Sequence, residues 1–368
     1  CNFVNGKKWI QIFIISTLII TSLLALFNYE IDSLKLVNKK GLVNKNGFIE
    51  RSTTDLTNNK IIAGLGNYNE RFFNRRMFEK FTENKDILVI GASRSLLVRH
   101  RNMNKDYTSF YNASVSNAVF GDFLNMIYTY ENNLNTLPNN IIISIDPWLF
   151  NDGNPENRYL DMMDNFTQMS NKIDENSSVK SNNYLTKYNN IFKIFSLEYL
   201  AVNISYLVKA YRSTYKDYYV VDLFDSDTTV AVKEPDGSLH YPQKYNNRPL
   251  EEITKEATNW LKTDISQFQN FNKISNKKIF ENLIQYLLSK NVNITIKLAP
   301  FNPVIYNKLI VKYPLITEVE SYITQIANPL KVNIIGSYNP YKYSLNIDDF
   351  TDYMHAKEEV INNILNEI

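Results

Sequence analysis

Apolar positions fall into three patterns along the chain. The first is a continuous run, Trp9–Phe27, "WIQIFIISTLIITSLLALF", without a charge and with only Gln11, Ser16, Thr17, Thr21 and Ser22 polar. At about 1.5 Å per residue it reaches roughly 28 Å, the depth of a bilayer's hydrocarbon core. The second pattern is a series of short runs rich in Ile and Val: Ile87–Ile90, Ile141–Ile145, Ile294–Leu298 and Val332–Ile335. Each is followed by a breaker or a small residue, and none alternates polar with apolar, as expected of strands buried on both faces. The third is helical periodicity, in Phe120–Leu134, Lys278–Leu288 and Val360–Ile368.

Strands alternating with helices predict an α/β domain, a parallel sheet flanked by helices. In such sheets ligands bind at the C-terminal ends of the strands. The expected organisation is a stub over 1–8, a transmembrane signal anchor over 9–27, and a turn-rich lead-in over 28–85 containing "NKKGLVNKNG". The α/β domain then runs over 86–368. Its rhythm is interrupted over about 151–248 by the polar tract "NKIDENSSVKSNNY", a helix over 190–211 and the turn Asp236-Gly237. This stretch reads as an inserted cap region over the sheet. Lys7 and Lys8 precede the anchor and no small-residue cleavage site follows it. A short stub before a large domain places that domain on the extracytoplasmic side of the cell membrane, attached by a single pass.

Charge and composition narrow the partners. The 368 residues carry 40 basic and 38 acidic side chains, a net charge of +2, too balanced for a protein whose main partner is nucleic acid. The single cysteine, Cys1, allows no internal disulfide and no Cys/His zinc site beyond itself. Asp222, Asp225 and Asp227 in "VVDLFDSDTT" lack the Gly and terminal Glu of a calcium loop, so no metal is expected. Twenty-five tyrosines supply amphipathic rings of the kind that grip sugars and equally pack cores.

Two stretches carry chemistry. "DILVIGASRSLLV", Asp86–Val98, leads a buried strand into Gly-Ala-Ser-Arg-Ser, which presents Ser93 at the strand's tip. "DDFTDYMHAKEEV", Asp348–Val360, puts Asp352 and His355 three residues apart just before a helical pattern. A serine is a weak nucleophile until a base takes its proton, and an imidazole does so best when a carboxylate fixes its tautomer. An Asp-x-x-His turn delivers both groups from one segment. The alternatives are an ordinary strand-to-helix turn at Ser93 and an acidic helix start with a surface His at 355. Ser95 would lie in the first helical turn, and His100 and His240 read as surface residues, with His240 able to line the cap.

Taken together, the two stretches resemble the SGNH (GDSL-like) hydrolase superfamily. Gly91-Ala92-Ser93 is similar to its Gly-Asp-Ser block, and Asp352-Tyr353-Met354-His355 to its Asp-x-x-His block. The resemblance implies a three-layer α/β fold and a catalytic triad of Ser93, His355 and Asp352. In "YNASVSNAV", Asn117 stands where the family's oxyanion-hole Gly would be; its backbone N–H is retained, so the implied hole is the N–H groups of Ser93 and Asn117. After the central strand, "SIDPW" places Asp146 where the family has an oxyanion-binding Asn. A carboxylate there repels a developing oxyanion unless it holds a proton, so Asp146 is expected to do something else, such as anchor Arg94. Arg94, Asp146 and Trp148 are the weaker candidates for substrate binding.

Within the superfamily the chain looks most like membrane-anchored members that modify cell-surface polymers, among them the D-alanine transfer protein of teichoic acid and the alginate O-acetylation proteins. The shared features are the anchor, the "GxSRS"-like block, "DPW", the late "DFxDxxH"-like turn and the exit "IKLAPFNPVIY". The resemblance implies an acyl-ester transferase or esterase acting on a surface polysaccharide or teichoic-acid-like polymer, without a cofactor, beside a multipass membrane acyltransferase. The other reading is a catalytically silent scaffold or glycan-binding module that assists such an acyltransferase.

Overall fold

A computed structural model of the chain describes residues 6–32, 37, 48–65, 68–103, 107–174, 191–211, 218–222 and 229–368. Residues 1–5 of the expected stub, parts of the lead-in and of the expected cap, and Asp225 and Asp227 lie outside the described residues. The chain divides into two compact units, 1–51 with 181–217, and 52–180 with 218–368.

The first unit contains helix α1, Gly6–Ile31, whose apolar side chains from Trp9 to Leu23 are largely exposed. It is long and apolar enough to cross a membrane.

The second unit is α/β. Its sheet has five parallel strands, β2 (Ile87–Ile90), β3 (Phe110–Asn112), β4 (Asn140–Ile145), β8 (Asn293–Leu298) and β9 (Asn333–Gly336), in the order β3-β2-β4-β8-β9. The register pairs Ile90 with Ile143 and Ile145 with Leu298, so the strand ends form one edge. All four residues of β2 are buried, which explains its unbroken apolar run. Ile87 and Val89 pack with Ile142, Ile335 and the apolar stripe Val360, Ile361 and Ile364 of the last helix, Glu358–Leu365. The helix expected over Phe120–Leu134 has those bounds.

Two regions differ from expectation. The stretch before residue 86 is not only a lead-in: Ser52 onward belongs to the second unit, which includes a short strand β1 (Ile61–Ala63) and a helix over Glu70–Lys80. Asn69 caps that helix by accepting from the Phe72 N–H at 3.0 Å. Residues 151–248 also do not form one piece. Met163–Ile173 is a helix of the second unit, while 181–217 belongs to the first. Strands β5 (Tyr219–Val221), β6 (Val232–Lys233) and β7 (Leu239–His240) join β1 in an antiparallel sheet of order β5-β1-β6-β7.

Candidate active site

Strand β2 ends at Ile90, and Gly91 and Ala92 lead into a single 3₁₀ turn, Ser93–Ser95. Gly91 is required by space: a Cβ there would collide with Ser95 Oγ and come within 2.6 Å of Ser144 Cβ. The turn is held from below. Asn112 Nδ2 donates to Ser95 O at 2.7 Å and to Val98 O at 2.9 Å. Ser95 is buried, with Oγ 2.8 Å from Ala92 O and 3.0 Å from Ser114 Oγ, so its hydroxyl is part of the scaffold. Ser93 stays half-exposed.

The partner segment is a tight turn. Phe350 and Ala356 form an antiparallel bridge, and the Thr351 N–H donates to His355 O at 2.9 Å. Inside this loop Asp352 is 3% exposed. Its Oδ1 accepts the N–H groups of Met354 at 2.6 Å and His355 at 2.7 Å. Its Oδ2 lies 2.8 Å from His355 Nδ1 and also accepts the Tyr245 hydroxyl. A carboxylate cannot donate, so Nδ1 carries the proton and Nε2 presents a lone pair. That Nε2 stands 2.9 Å from Ser93 Oγ. Burial pushes the Asp352 carboxyl up, but its electrostatic attraction to His355, when that ring is protonated, and the hydrogen bonds from His355, Tyr245 and Met354 outweigh it and hold the group below the usual carboxylate range.

The three groups proposed from sequence as a triad therefore meet in one hydrogen-bonded line, Ser93–His355–Asp352, beyond the C-terminal end of β2. Nothing in the sequence pattern pointed to Tyr245. It lies 107 residues before Asp352, in "HYPQKY", and no local spacing marks it. Burial and the adjacent Asp352 charge raise its phenol, keeping it a donor.

Asn117 adopts a left-handed backbone, φ 52°, which Asn tolerates better than most residues. The preceding carbonyl, Ser116 O, accepts from Arg71 Nη2 at 3.2 Å and Arg158 Nη2 at 3.1 Å. Glu70 grips Ser116 on its other side, accepting its N–H at 2.6 Å and its hydroxyl at 3.0 Å. Since a trans peptide sets N–H opposite C=O, two guanidinium groups fixing Ser116 O also fix the direction of the Asn117 N–H. Neither that N–H nor the Ser93 N–H has a hydrogen-bond partner among the described residues.

Arg94, Asp146 and Trp148, the weaker candidates for substrate binding, are buried. Asp146, fully buried at the end of β4, accepts from Arg94 Nη1 at 2.7 Å. Arg94 Nη2 continues to Ala299 O at 2.5 Å and Pro300 O at 2.6 Å, just past β8, and its guanidinium lies 4.2 Å from the centre of the Phe301 ring. One side chain thus laces the ends of β2, β4 and β8. Burial pushes the Asp146 carboxyl up, opposed by the Arg94 charge. Trp148 is 3% exposed and its indole N–H donates to Ala118 O at 3.2 Å.

The other histidines sit in structural contacts. His240 Nδ1 is 2.7 Å from the buried Arg99, which also pairs with Glu358 at 2.5 Å, and His100 Nε2 is 2.6 Å from Tyr107 O. Around the triad stand half-exposed rings: Tyr241 6.2 Å from His355, and Trp260 5.0 Å from Tyr353. No three metal-ligating side chains gather among the described residues. A crevice of about 310 Å³ lies at the opposite end of the strands, lined by Asn140, Asn293, Val332 and neighbours. Its lining holds no His, Cys or acidic side chain. No protein-family model matches the chain, and no curated protein matches it significantly.

Proposed function

We propose that the protein is a serine-dependent acyl-ester transferase or esterase of the SGNH (GDSL-like) type. In this reading it is anchored by α1, with the second unit on the extracytoplasmic side, and acts on a cell-surface polysaccharide or teichoic-acid-like polymer. The observation that carries the reading is the line of contacts from Ser93 Oγ through His355 to Asp352, 2.9 Å and 2.8 Å.

The chemistry follows from those atoms. Ser93 Oγ attacks an acyl carbonyl while His355 Nε2 takes the hydroxyl proton, and Asp352 stabilises the imidazolium that results. Negative charge moves to the carbonyl oxygen, where the N–H groups of Ser93 and Asn117 are the available donors. His355 then returns its proton to the departing oxygen, leaving an acyl-serine. A sugar hydroxyl or water, activated by the same Nε2, releases the acyl group. The half-exposed Tyr241, Trp260 and Tyr353 supply flat faces beside this centre, which suits a carbohydrate acceptor. A multipass acyltransferase as donor of acyl groups fits the same reading.

The test is active-site labelling of the full chain in detergent with a fluorophosphonate. Wild type should label, and Ser93→Ala and His355→Ala should not, with circular dichroism unchanged. A folded wild-type protein that takes no label would sink the enzyme reading and leave a silent scaffold or glycan-binding module.

A further inference from the structure

The first unit holds a second helix, α6, Leu197–Tyr211, packed against the end of α1. Asn28 of α1 donates to Ile194 O at 2.8 Å and to Ser196 O at 3.2 Å, and accepts from Asn203 at 3.0 Å. Four residues on, just past the end of α1, Asp32 accepts the Tyr199 hydroxyl. Asn28, Asp32, Tyr199 and Asn203 are all buried. These contacts set direction: four residues forward on α6 correspond to four residues backward on α1. The helices are antiparallel, and one more step brings Leu207 level with Leu24, both half-buried.

Leu24 lies within the apolar run that ends at Phe27. The second half of α6 therefore sits beside the last turns of the segment long enough to cross a membrane. The opposite side of α6 is exposed among the described residues. Leu197, Ala201, Ile204 and Val208 follow the spacing i, i+4, i+7, i+11, so they form one stripe. All four are exposed, Leu197 at 72%, Ile204 at 45% and Val208 at 47%. Just before the helix, Phe192 and Phe195 are exposed at 66% and 47%, flanking the carbonyl of Ile194 that Asn28 binds.

We infer that α6 is a second membrane element: its second half enters one leaflet alongside the anchor, with the Ile204–Val208 end of the stripe against lipid and Phe192 and Phe195 at the headgroup boundary. The inference rests on α1 crossing a membrane. From the level of Phe27 to the end of α6 the helix runs about 10 Å, the depth typical of a partly inserted apolar face. Lipid is the occupant because Ile204 and Val208 lie at the level of Phe27 and Leu23, among α1 side chains that are themselves exposed and apolar, such as Leu23 and Leu26. Aromatic rings at the level of Asn28 fit the water–hydrocarbon interface. The buried polar set between the two helices satisfies its groups internally, as a site shielded from water needs.

The full chain reconstituted in phosphatidylcholine vesicles tests this. Cys1 is the only cysteine, so a Cys1→Ser background accepts single reporters at Ile204→Cys and Val208→Cys. Ile15→Cys marks the anchor and Lys331→Cys marks water. Each is labelled with an environment-sensitive fluorophore and measured with and without acyl-chain-brominated lipid. The expected result is that Ile204→Cys and Val208→Cys lose emission with Ile15→Cys while Lys331→Cys keeps it. Emission at 204 and 208 that follows Lys331→Cys overturns the inference. So does a label there that is shielded from an aqueous quencher yet untouched by brominated lipid, since protein would then cover the stripe. An Ile15→Cys label that brominated lipid leaves unquenched overturns the anchor itself, and the inference with it.

Discussion

Asp352 receives four donors, two main-chain N–H groups on one oxygen and the His355 ring and the Tyr245 hydroxyl on the other, so each lone-pair site is used. Removing one donor tests what that saturation is worth. Tyr245→Phe should lower stability by about 1–3 kcal/mol near neutral pH, read from urea unfolding. The pH dependence has a definite sign. A carboxylate held below its ordinary range contributes stability above about pH 4, lost as pH falls through the lowered value. The gap between Tyr245→Phe and wild type should therefore close below about pH 4. A gap of constant size down to acid would mean that the phenol only packs. Asp352 and His355 were legible in the sequence because their pairing is local, three residues apart. Tyr245 was not, because a single phenol meeting a carboxylate 107 residues away leaves no periodicity or motif.

At the scale of elements, Arg94 ties three strand ends through Asp146, Ala299 and Pro300. Arg94→Met leaves Asp146 buried without its cation and should cost about 3–5 kcal/mol. Arg94→Met combined with Asp146→Leu should recover part of that loss, because the stranded charge is gone. If the double variant is no better than the single, the carbonyls of residues 299 and 300 matter more than the ion pair. The sheet strands were readable because burial on both faces removes polar residues from them. The helix over Glu70–Lys80 was not, since its buried side includes Arg71 and Asn74, which break the apolar stripe. Those two polar residues are buried for cause: Arg71 binds Asp122 at 2.7 Å and Asn74 binds Ala113 O at 2.8 Å. Strands of two or three residues, such as β6 and β7, are shorter than any periodicity can mark.

At the scale of the molecule, two lysines among the described residues are buried, Lys297 and Lys233. Burial, reinforced at Lys297 by the Arg94 charge, lowers Lys297, on β8, and Lys233, on β6, to about 8 each, offset only in part by Asp146 and by Glu70 and Asp236 respectively. Between about pH 8 and about 10.4 the unfolded chain holds protons that the folded one has released, so stability should rise with pH across that window. Above it the trend should turn, because buried Tyr111 and Tyr338 are raised well above their ordinary value and resist ionising in the fold. Urea titrations from pH 7.5 to 11 check the curve, and Lys297→Met should flatten its rising part. A flat wild-type curve would mean that water reaches both ammonium groups. Charge balance and the apolar N-terminal run were visible in composition, whereas the burial of these lysines depends on contacts made only after folding.

The antiparallel pair of α1 and α6 also orders events in time. Asn28 and its partner Asn203 are 175 residues apart in the chain. At a synthesis rate of about 5–20 residues per second, roughly 10 to 35 s separate the emergence of one from the other. During that interval α1 is made and Asn28 and Asp32 have no α6 to bind, while the segment that begins the second unit is already outside the ribosome. Closing the first unit is therefore a late step, and a nascent chain stalled before residue 191 would hold Asn28 without the carbonyls of Ile194 and Ser196 and the Asn203 amide that it meets in the fold.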